Sequence, residues 1–292
     1  MNFGTVAILG PGLIGGSLAL ALAERSLADK LVIWARNEKS FPAIREKLPH
    51  ATLTTDIIEA MRNADIVILC VPIETMKGLV EKFADSLKPT ALVTDVGSVK
   101  ESVDREIAPL LAGKALWIGS HPMAGSEQAG FAAARADLFV GAAVIITPTD
   151  YTQPEAERRA KQFWEALEGR VVCIELEFHD IVVAEVSHIP HLLAAFLVGK
   201  VTDEGRAIAG GGFRDTTRVA SGSPELWTEI LWANRDAIAI HLRAWKQWVS
   251  NLEGLLENTE PVQAKSELLR ILKTAQTVRS QMLETNPLFK KR

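Results

Sequence analysis

The sequence predicts an α/β fold, a parallel sheet with helices on both faces, followed by an all-helical region. Three observations carry this. Short β-branched runs alternate with helical patterns from residue 5 to about residue 177. The runs are apolar throughout, as strands covered on two sides must be. Beyond residue 177 no convincing strand recurs, and the apolar spacing is that of helices.

Taken in order, the first strand is TVAIL (5–9), followed by the helical IGGSLALALAERS (14–26). KLVIWA (30–35) precedes SFPAIREKL (40–48), ADIVILCV (64–71) precedes IETMKGLVEKFADSL (73–87), and TALVTDV (90–96) precedes KESVDREIAPLL (100–111). ALWIGS (115–120) and AAVIITP (142–148) are read as the next strands, then a helix at 154–167 and a strand at 170–176. The helical region opens with 179–205, where Pro190 should kink the chain. GGGF (210–213) reads as a break, and 223–258 as one long helix with Ser223 as N-cap and Pro224 as its first residue. A last helix follows at 261–283. The expected domains are therefore 1–177 and 178–292. Trp227, Leu231, Ile238, Leu242, Trp245, Val249, Leu252 and Leu256 keep three-four spacing along the long helix. So wide an apolar face points to a homodimer formed through the helical domain.

Bulk properties narrow the function. The chain of 292 residues is 48% hydrophobic and 23% charged, with a net charge of −4. That charge gives no electrostatic case for nucleic acid or an anionic membrane. The basic end, Lys290-Lys291-Arg292, is read as a solvated terminus. Two cysteines in apolar runs, Cys70 and Cys173, read as buried free thiols of a reducing compartment. Met1 lies almost directly before the first strand, so no secretory signal is expected. No apolar run is expected to approach the ~20 residues that span a bilayer. A cytoplasmic protein with a small-molecule substrate is expected.

GPGLIG places Gly10, Gly12 and Gly15 in a G-x-G-x-x-G spacing between a strand and a helix. Gly10 permits the tight turn, Gly12 admits a pyrophosphate, and Gly15 lets helix and strand pack closely. The helix start, with its free N–H groups, faces the phosphates. This predicts a Rossmann-like dinucleotide site built from Gly10, Gly12, Leu13, Ile14 and Gly15, with Val71 and Pro72 after the third strand. At the end of the second strand Ala35 stands where an NAD site usually has an acid, and Arg36 follows. Arg36 could meet a 2′-phosphate, which favours NADP, or stack on adenine and accept NAD as well.

In a doubly wound sheet, ligands lie outside the carboxyl ends of the strands. Ser98, in TDVGSVK, and His121, in GSHPMAGSE, follow two such ends. A neutral imidazole there can take a proton from a substrate hydroxyl as hydride leaves the same carbon. A histidine hydrogen-bonded within a turn is the plainer alternative.

GPGLIGGS, TDVGSVK, GSHPMAGSE, HD at 179–180, SHIPH at 187–191 and GGGFRDTTRVA at 210–220 together resemble the prephenate dehydrogenase family, which includes arogenate dehydrogenases. The resemblance runs over nearly the whole chain. It implies NAD(P)-dependent oxidative decarboxylation of prephenate to 4-hydroxyphenylpyruvate in tyrosine biosynthesis. His121 would polarise and deprotonate the 4-hydroxyl, and Ser98 would bond the same hydroxyl and orient the histidine. Arg218 would bind a carboxylate and His191 would contact the substrate from the helical domain. Prephenate is a dianion, and arginine's planar fork suits a carboxylate. Glu127 is a candidate to gate or screen the pocket, or else an ordinary exposed acid. Asp180 is a candidate at the site mouth, or alternatively the N-cap of a helix it starts with His179. Lys100 is read as starting a helix, Arg214 as pairing with an acid, and Trp227 as a site wall or core residue. His188 and His191 have metal-like spacing, but Pro190 between them and the lack of a cysteine cluster argue against a metal. A monofunctional dehydrogenase is expected. The alternatives are arogenate as substrate, a related dehydrogenase of β-hydroxy acids or imines, and a non-catalytic NADP-binding redox sensor.

Overall fold

A computed structural model describes residues 1–126 and 128–286. Glu127 and the basic residues 290–292 therefore lie outside the described residues. The chain forms two compact units, Met1–Arg235 and Asp236–Arg292. Helices after residue 177 up to Arg235 thus pack in the same unit as the sheet.

The first unit is built on strand β1 (Thr5–Leu9), helix α1 (Leu13–Glu24), β2 (Lys30–Trp34), α2 (Phe41–Lys47), β3 (Thr52–Thr54), α3 (Ile57–Met61), β4 (Ile66–Leu69), α4 (Ile73–Phe83), β5 (Leu92–Asp95), α5 (Glu101–Leu111) and β6 (Leu116–Trp117). The strands order as β3-β2-β1-β4-β5-β6, all parallel. The sheet is buried on both faces, as the continuous apolar runs require. Val6, Ile8, Ile66 and Ile68 face one core layer with Leu18, Leu22, Phe163 and Trp164. Ala7, Leu9, Val67 and Leu69 face the other, with Met76, Phe83 and Ile107. Each fully buried Leu or Ile contributes ~1.5–3 kcal/mol. β3 and α3 are too short to show a period, so the sequence pattern does not reveal them.

A second sheet follows, with β7 (Gly119–Pro122), β8 (Ala143–Thr147), α6 (Pro154–Ala166) and β9 (Arg170–Cys173). Its order is β7-β8-β9, with β7 antiparallel to β8 and β8 parallel to β9. The sequence predicts 115–120 as one strand of one parallel sheet. Instead β6 pairs with β5 for two residues, and the chain then leaves to pair with β8. Buried bonds hold the departure. Ser120 Oγ lies 2.7 Å from Thr94 Oγ1, and Ser120 N–H donates to Asp95.

The remaining helices of this unit are α7 (Leu176–Val183), α8 (Ile189–Lys200), α9 (Asp203–Ile208), α10 (Gly211–Thr217) and α11 (Pro224–Ala233). One π-helical turn, Ala184–His188, joins α7 to α8, with Pro190 in the first turn of α8. Pro190 lacks an N–H, so the local wide turn sits where the regular ladder must be interrupted. The run Leu176–Lys200 is thus 25 helical residues, long and apolar enough by length and composition to cross a membrane. This corrects the expectation of no such run. Its polar side chains His179, Asp180, His188 and His191 are buried, and the first three bond to residues of other elements.

Three other local expectations change. GGGF does not break the chain, since Gly210 caps α10 and Gly211–Phe213 form its first turn. Asp180 is not the N-cap of its own helix, which begins at Leu176. Cys173 is exposed and Cys70 half-buried, because each lies at a strand's end rather than inside it.

The long helix expected at 223–258 ends its first part at Asn234, and α12 runs Arg235–Leu256. Ser223 does cap α11, its Oγ accepting from Leu226 N–H. Asn234 is buried, and its Nδ2 donates to Asp180 O and to His188 Nδ1. Reaching both acceptors fixes the chain where the helix breaks. Asn234→Ala should therefore cost roughly 1–3 kcal/mol, the loss for unpaired buried polar groups, read from the urea midpoint. An unchanged midpoint would remove Asn234 from this role.

The second unit holds the rest of α12 and α13 (Pro261–Thr285). Trp245, Trp248, Val249 and Leu256 on α12, and Leu269, Leu272 and Val278 on α13, are exposed.

Candidate active site

The glycine loop lies between β1 and α1. Gly10 has φ +101°, a conformation open to glycine and strained for other residues. A Cβ on Gly15 would collide with the Gly10 carbonyl oxygen, whereas one on Gly12 would meet nothing within 4 Å. Gly12 thus keeps space clear at the N-terminus of α1, where an anion is favoured. Leu13 and Ile14 pack on the core beneath. Gly10, Ala35, Arg36, Val71 and Pro72 line a cleft of about 680 Å³ with Lys82. Its size is within the range of cofactor sites. The glycine turn, the open space at Gly12 and this cleft fit a dinucleotide. Gly12→Ala should leave the melting temperature unchanged yet weaken cofactor binding about tenfold, as an added methyl in a tight contact does. Titration of cofactor with both proteins checks this, and equal affinities would remove the phosphates from Gly12.

The second cavity, about 330 Å³, is lined by His121, Ser126, Ser187, Arg218, Gly222 and Trp227, among others. His121 is buried at the centre of β7, at only 7% exposure. The segment after it packs against α1: a Cβ on Gly16 would touch the Phe131 ring, and Arg135 N–H donates to Ser17 Oγ. The site histidine is thereby tied to the helix that begins at the cofactor loop.

Placement of the other expected residues varies. Arg218 lines the cavity, in the turn after α10. His191 does not line it directly; its ring stacks on Trp227 at 3.5 Å and 14°, so it sits behind the wall. Trp227 therefore walls the site. Ser98 is half-buried in the loop between β5 and α5 and is not among the lining residues. Asp180 is buried away from the mouth, where its carboxylate accepts from Lys100 N–H at 2.8 Å and Glu101 N–H at 3.1 Å, capping α5. Lys100 does begin a helix, and Arg214 pairs with Asp215 at 3.0 Å.

Residues whose role here the sequence does not reveal complete the site. His179 Nε2 lies 3.0 Å from His121 Nδ1, and its Nδ1 lies 2.7 Å from Asp180 Oδ1. Beneath them Lys100 and Asp95 form a fully buried ion pair, with Asp95 also accepting from Gly97 N–H and Ser120 N–H. An aspartate ending an otherwise apolar strand is the available signal, since a buried charge needs a partner.

Burial holds the His121 pKa well below the ordinary histidine value, and His179 and the Lys100 cation push the same way. Burial also lowers His179 and His191. For Asp180 burial works upward, but hydrogen bonds from His179 and from the Lys100 and Glu101 amides outweigh it and keep the carboxyl low. His121 is therefore a neutral base at pH 7, beside a guanidinium in one cavity. That combination can remove a proton from an anionic substrate.

Comparisons with known proteins bear on the family of the whole chain. The model of the prephenate dehydrogenase nucleotide-binding domain matches residues 18–173, and that of the prephenate dehydrogenase dimerization domain matches residues 175–274. The prephenate dehydrogenase of Bacillus subtilis is 33% identical over 94% of this chain and 75% of its own length. The structure of prephenate dehydrogenase from A. aeolicus, in complex with hydroxyphenyl propionate and NAD+, superposes with a TM-score of 0.86 at 29% identity, covering 97% of this chain and 99% of that one. Synechocystis arogenate dehydrogenase superposes with a TM-score of 0.81 at 32% identity, covering 95% and 99%. With a nucleotide cleft on a parallel sheet and a buried base that lines one cavity with an arginine, the chain belongs to the prephenate dehydrogenase family of NAD(P)-dependent oxidoreductases.

Proposed function

We propose that this chain oxidises and decarboxylates prephenate to 4-hydroxyphenylpyruvate, a step of tyrosine biosynthesis, with NADP preferred over NAD. The observation that carries the reading is one cavity holding a neutral buried imidazole, His121, and the guanidinium of Arg218. Arg218 binds a substrate carboxylate through its planar fork. His121 accepts the proton of the ring hydroxyl as the carbonyl forms at that carbon. Trp227, braced by His191, offers an apolar wall to the ring. When bound, the nicotinamide accepts the hydride. Loss of the ring carboxylate as carbon dioxide then leaves its bonding pair in the ring, which becomes aromatic, and this supplies the driving force. Ser98 assists at the hydroxyl once substrate and cofactor are in place. The NADP preference rests on Arg36, which lines the cleft beside Ala35 where an acid is usual.

The test is reduced-nicotinamide absorbance with prephenate or arogenate offered against NADP or NAD. Turnover of prephenate with NADP is expected. Arogenate, with an ammonium in place of the keto group, is the second reading, because a neighbour at 32% identity is an arogenate dehydrogenase. No turnover in any pairing, with cofactor still bound, would return the reading to a redox sensor.

The protein acts as a homodimer in this reading, through the exposed apolar stripe of α12 and α13. A dimerization-domain match over 175–274 supports it. Light scattering should give twice the 31.8 kDa chain mass. Trp245→Asp with Trp248→Asp should raise the dimer dissociation constant at least tenfold, as burying unpaired charge in an interface does. A monomeric wild type would overturn this.

A further inference from the structure

We propose that His179 and Asp180 are positioning residues, a two-link chain that holds His121 with its proton on Nδ1 and its lone pair on Nε2. The inference rests on the reading of His121 as the base and assigns the device that keeps it one.

The assignment follows from donors and acceptors. Asp180 receives two backbone N–H groups, from Lys100 and Glu101, which stabilise its ionised form. An ionised carboxylate only accepts, so the 2.7 Å contact to His179 Nδ1 requires a proton on that nitrogen. A neutral His179 then has only a lone pair at Nε2. The 3.0 Å contact from there to His121 Nδ1 requires the proton to sit on His121. With Nδ1 so engaged, Nε2 is the nitrogen His121 offers to the cavity it lines. The reverse polarity would set a His179 lone pair against a carboxylate oxygen. A doubly protonated His179 would force the proton of His121 onto Nε2 and abolish the base. Burial and the nearby Lys100 cation both oppose that charge.

The chain also serves the charged state. When the O–H bond of substrate breaks, its proton forms the Nε2–H bond of His121, and the bonding pair stays on oxygen. The imidazolium then formed still donates from Nδ1 to His179, whose own donor remains on Asp180. His179 is fully buried, so this arrangement needs no water. Asp180 couples it to α5, and Asn234 bonds to the Asp180 carbonyl. The helix break at Asn234 therefore braces the same chain.

The test compares the full-length wild type with His121→Asn, His179→Leu and His179→Gln. Steady-state kinetics are combined with ¹⁵N-histidine NMR, and His121 is identified by its missing signals in His121→Asn. Wild type should show His121 protonated at Nδ1 and bare at Nε2. In His179→Leu, kcat should fall roughly a hundredfold, KM should stay within about threefold, and the tautomer should shift toward Nε2–H. In His179→Gln the side-chain amide oxygen can still accept from His121 Nδ1–H, so that variant should recover to within about tenfold of wild type. Wild-type kcat in His179→Leu, with His121→Asn inactive, would overturn the positioning role and leave the base reading standing. Full activity in His121→Asn would overturn both. Should His179→Leu fail to fold, the wild-type tautomer decides, and a proton on Nε2 overturns the inference.

Discussion

With His121 replaced by asparagine, turnover falls by roughly 10²–10⁴-fold, the share a general base supplies, while the cofactor still binds. The asparagine amide is close in size and can still donate to His179 Nε2, so β7 keeps its packing. It has no lone pair basic enough to take a hydroxyl proton. The cofactor cleft is lined by other residues, so its affinity should move little. The expected signature is a drop in kcat and kcat/KM together with KM nearly constant, because the lost interaction belongs to the transition state. Stopped-flow absorbance and a cofactor titration on the same sample check it. Wild-type kcat in this variant would remove His121 from the chemistry. A sign follows for pH as well. The base works when neutral, and burial, His179, Lys100 and His188 all lower its pKa. Activity should therefore persist on the acid side of 6.5, the ordinary histidine value.

The features legible in the sequence are those whose cause is local. Gly10 announces itself because only glycine rests at positive φ there, and the three glycines fall within six residues. The strands β1, β2, β4 and β5 are legible because burial on two faces leaves an unbroken apolar run. His121 is legible as a polar residue in an otherwise small and apolar segment, although it lies within β7 and not past a strand's end. Its partner is not. His179 lies 58 residues away, and nothing in HD at 179–180 says which side chain it will meet. Asp180 reads as facing the mouth or starting a helix, since spacing does not reveal that α5 presents its N-terminus to it. The break at Asn234 is invisible for a related reason. The three-four apolar pattern runs straight through, and the interruption comes from acceptors at residues 180 and 188. The split of 115–120 is the same lesson in a sheet. Alternation says a segment is extended, but which strand it joins depends on Thr94 and Asp95 gripping Ser120.

Acidification should destabilise this fold before its carboxylates are protonated, and His188 is the main reason. The residue is fully buried, and burial holds its pKa at about 4. Asn234 Nδ2 donates to both Asp180 O and His188 Nδ1, so Nδ1 is an acceptor and the single ring proton sits on Nε2, which has no partner among the described residues. Charging His188 would place a second N–H on Nδ1, facing the Asn234 amide hydrogens. The unfolded chain has no such restraint and takes its proton near the ordinary 6.5. Between these values the unfolded state holds more protons, so stability is fully present above about 6.5 and is lost as pH falls toward 4. Over that window the loss is about 3 kcal/mol from this one group, at about 1.36 kcal/mol per pKa unit. His121, His179 and His191 are shifted in the same direction and add to it. Urea unfolding at about pH 7.5, 6 and 5, values chosen to bracket the window, should show a steadily falling free energy, with a shallower slope in His188→Gln. A flat profile in the wild type would mean that His188 accepts its proton in the folded state, and the donor assignment at Asn234 would have to be reversed.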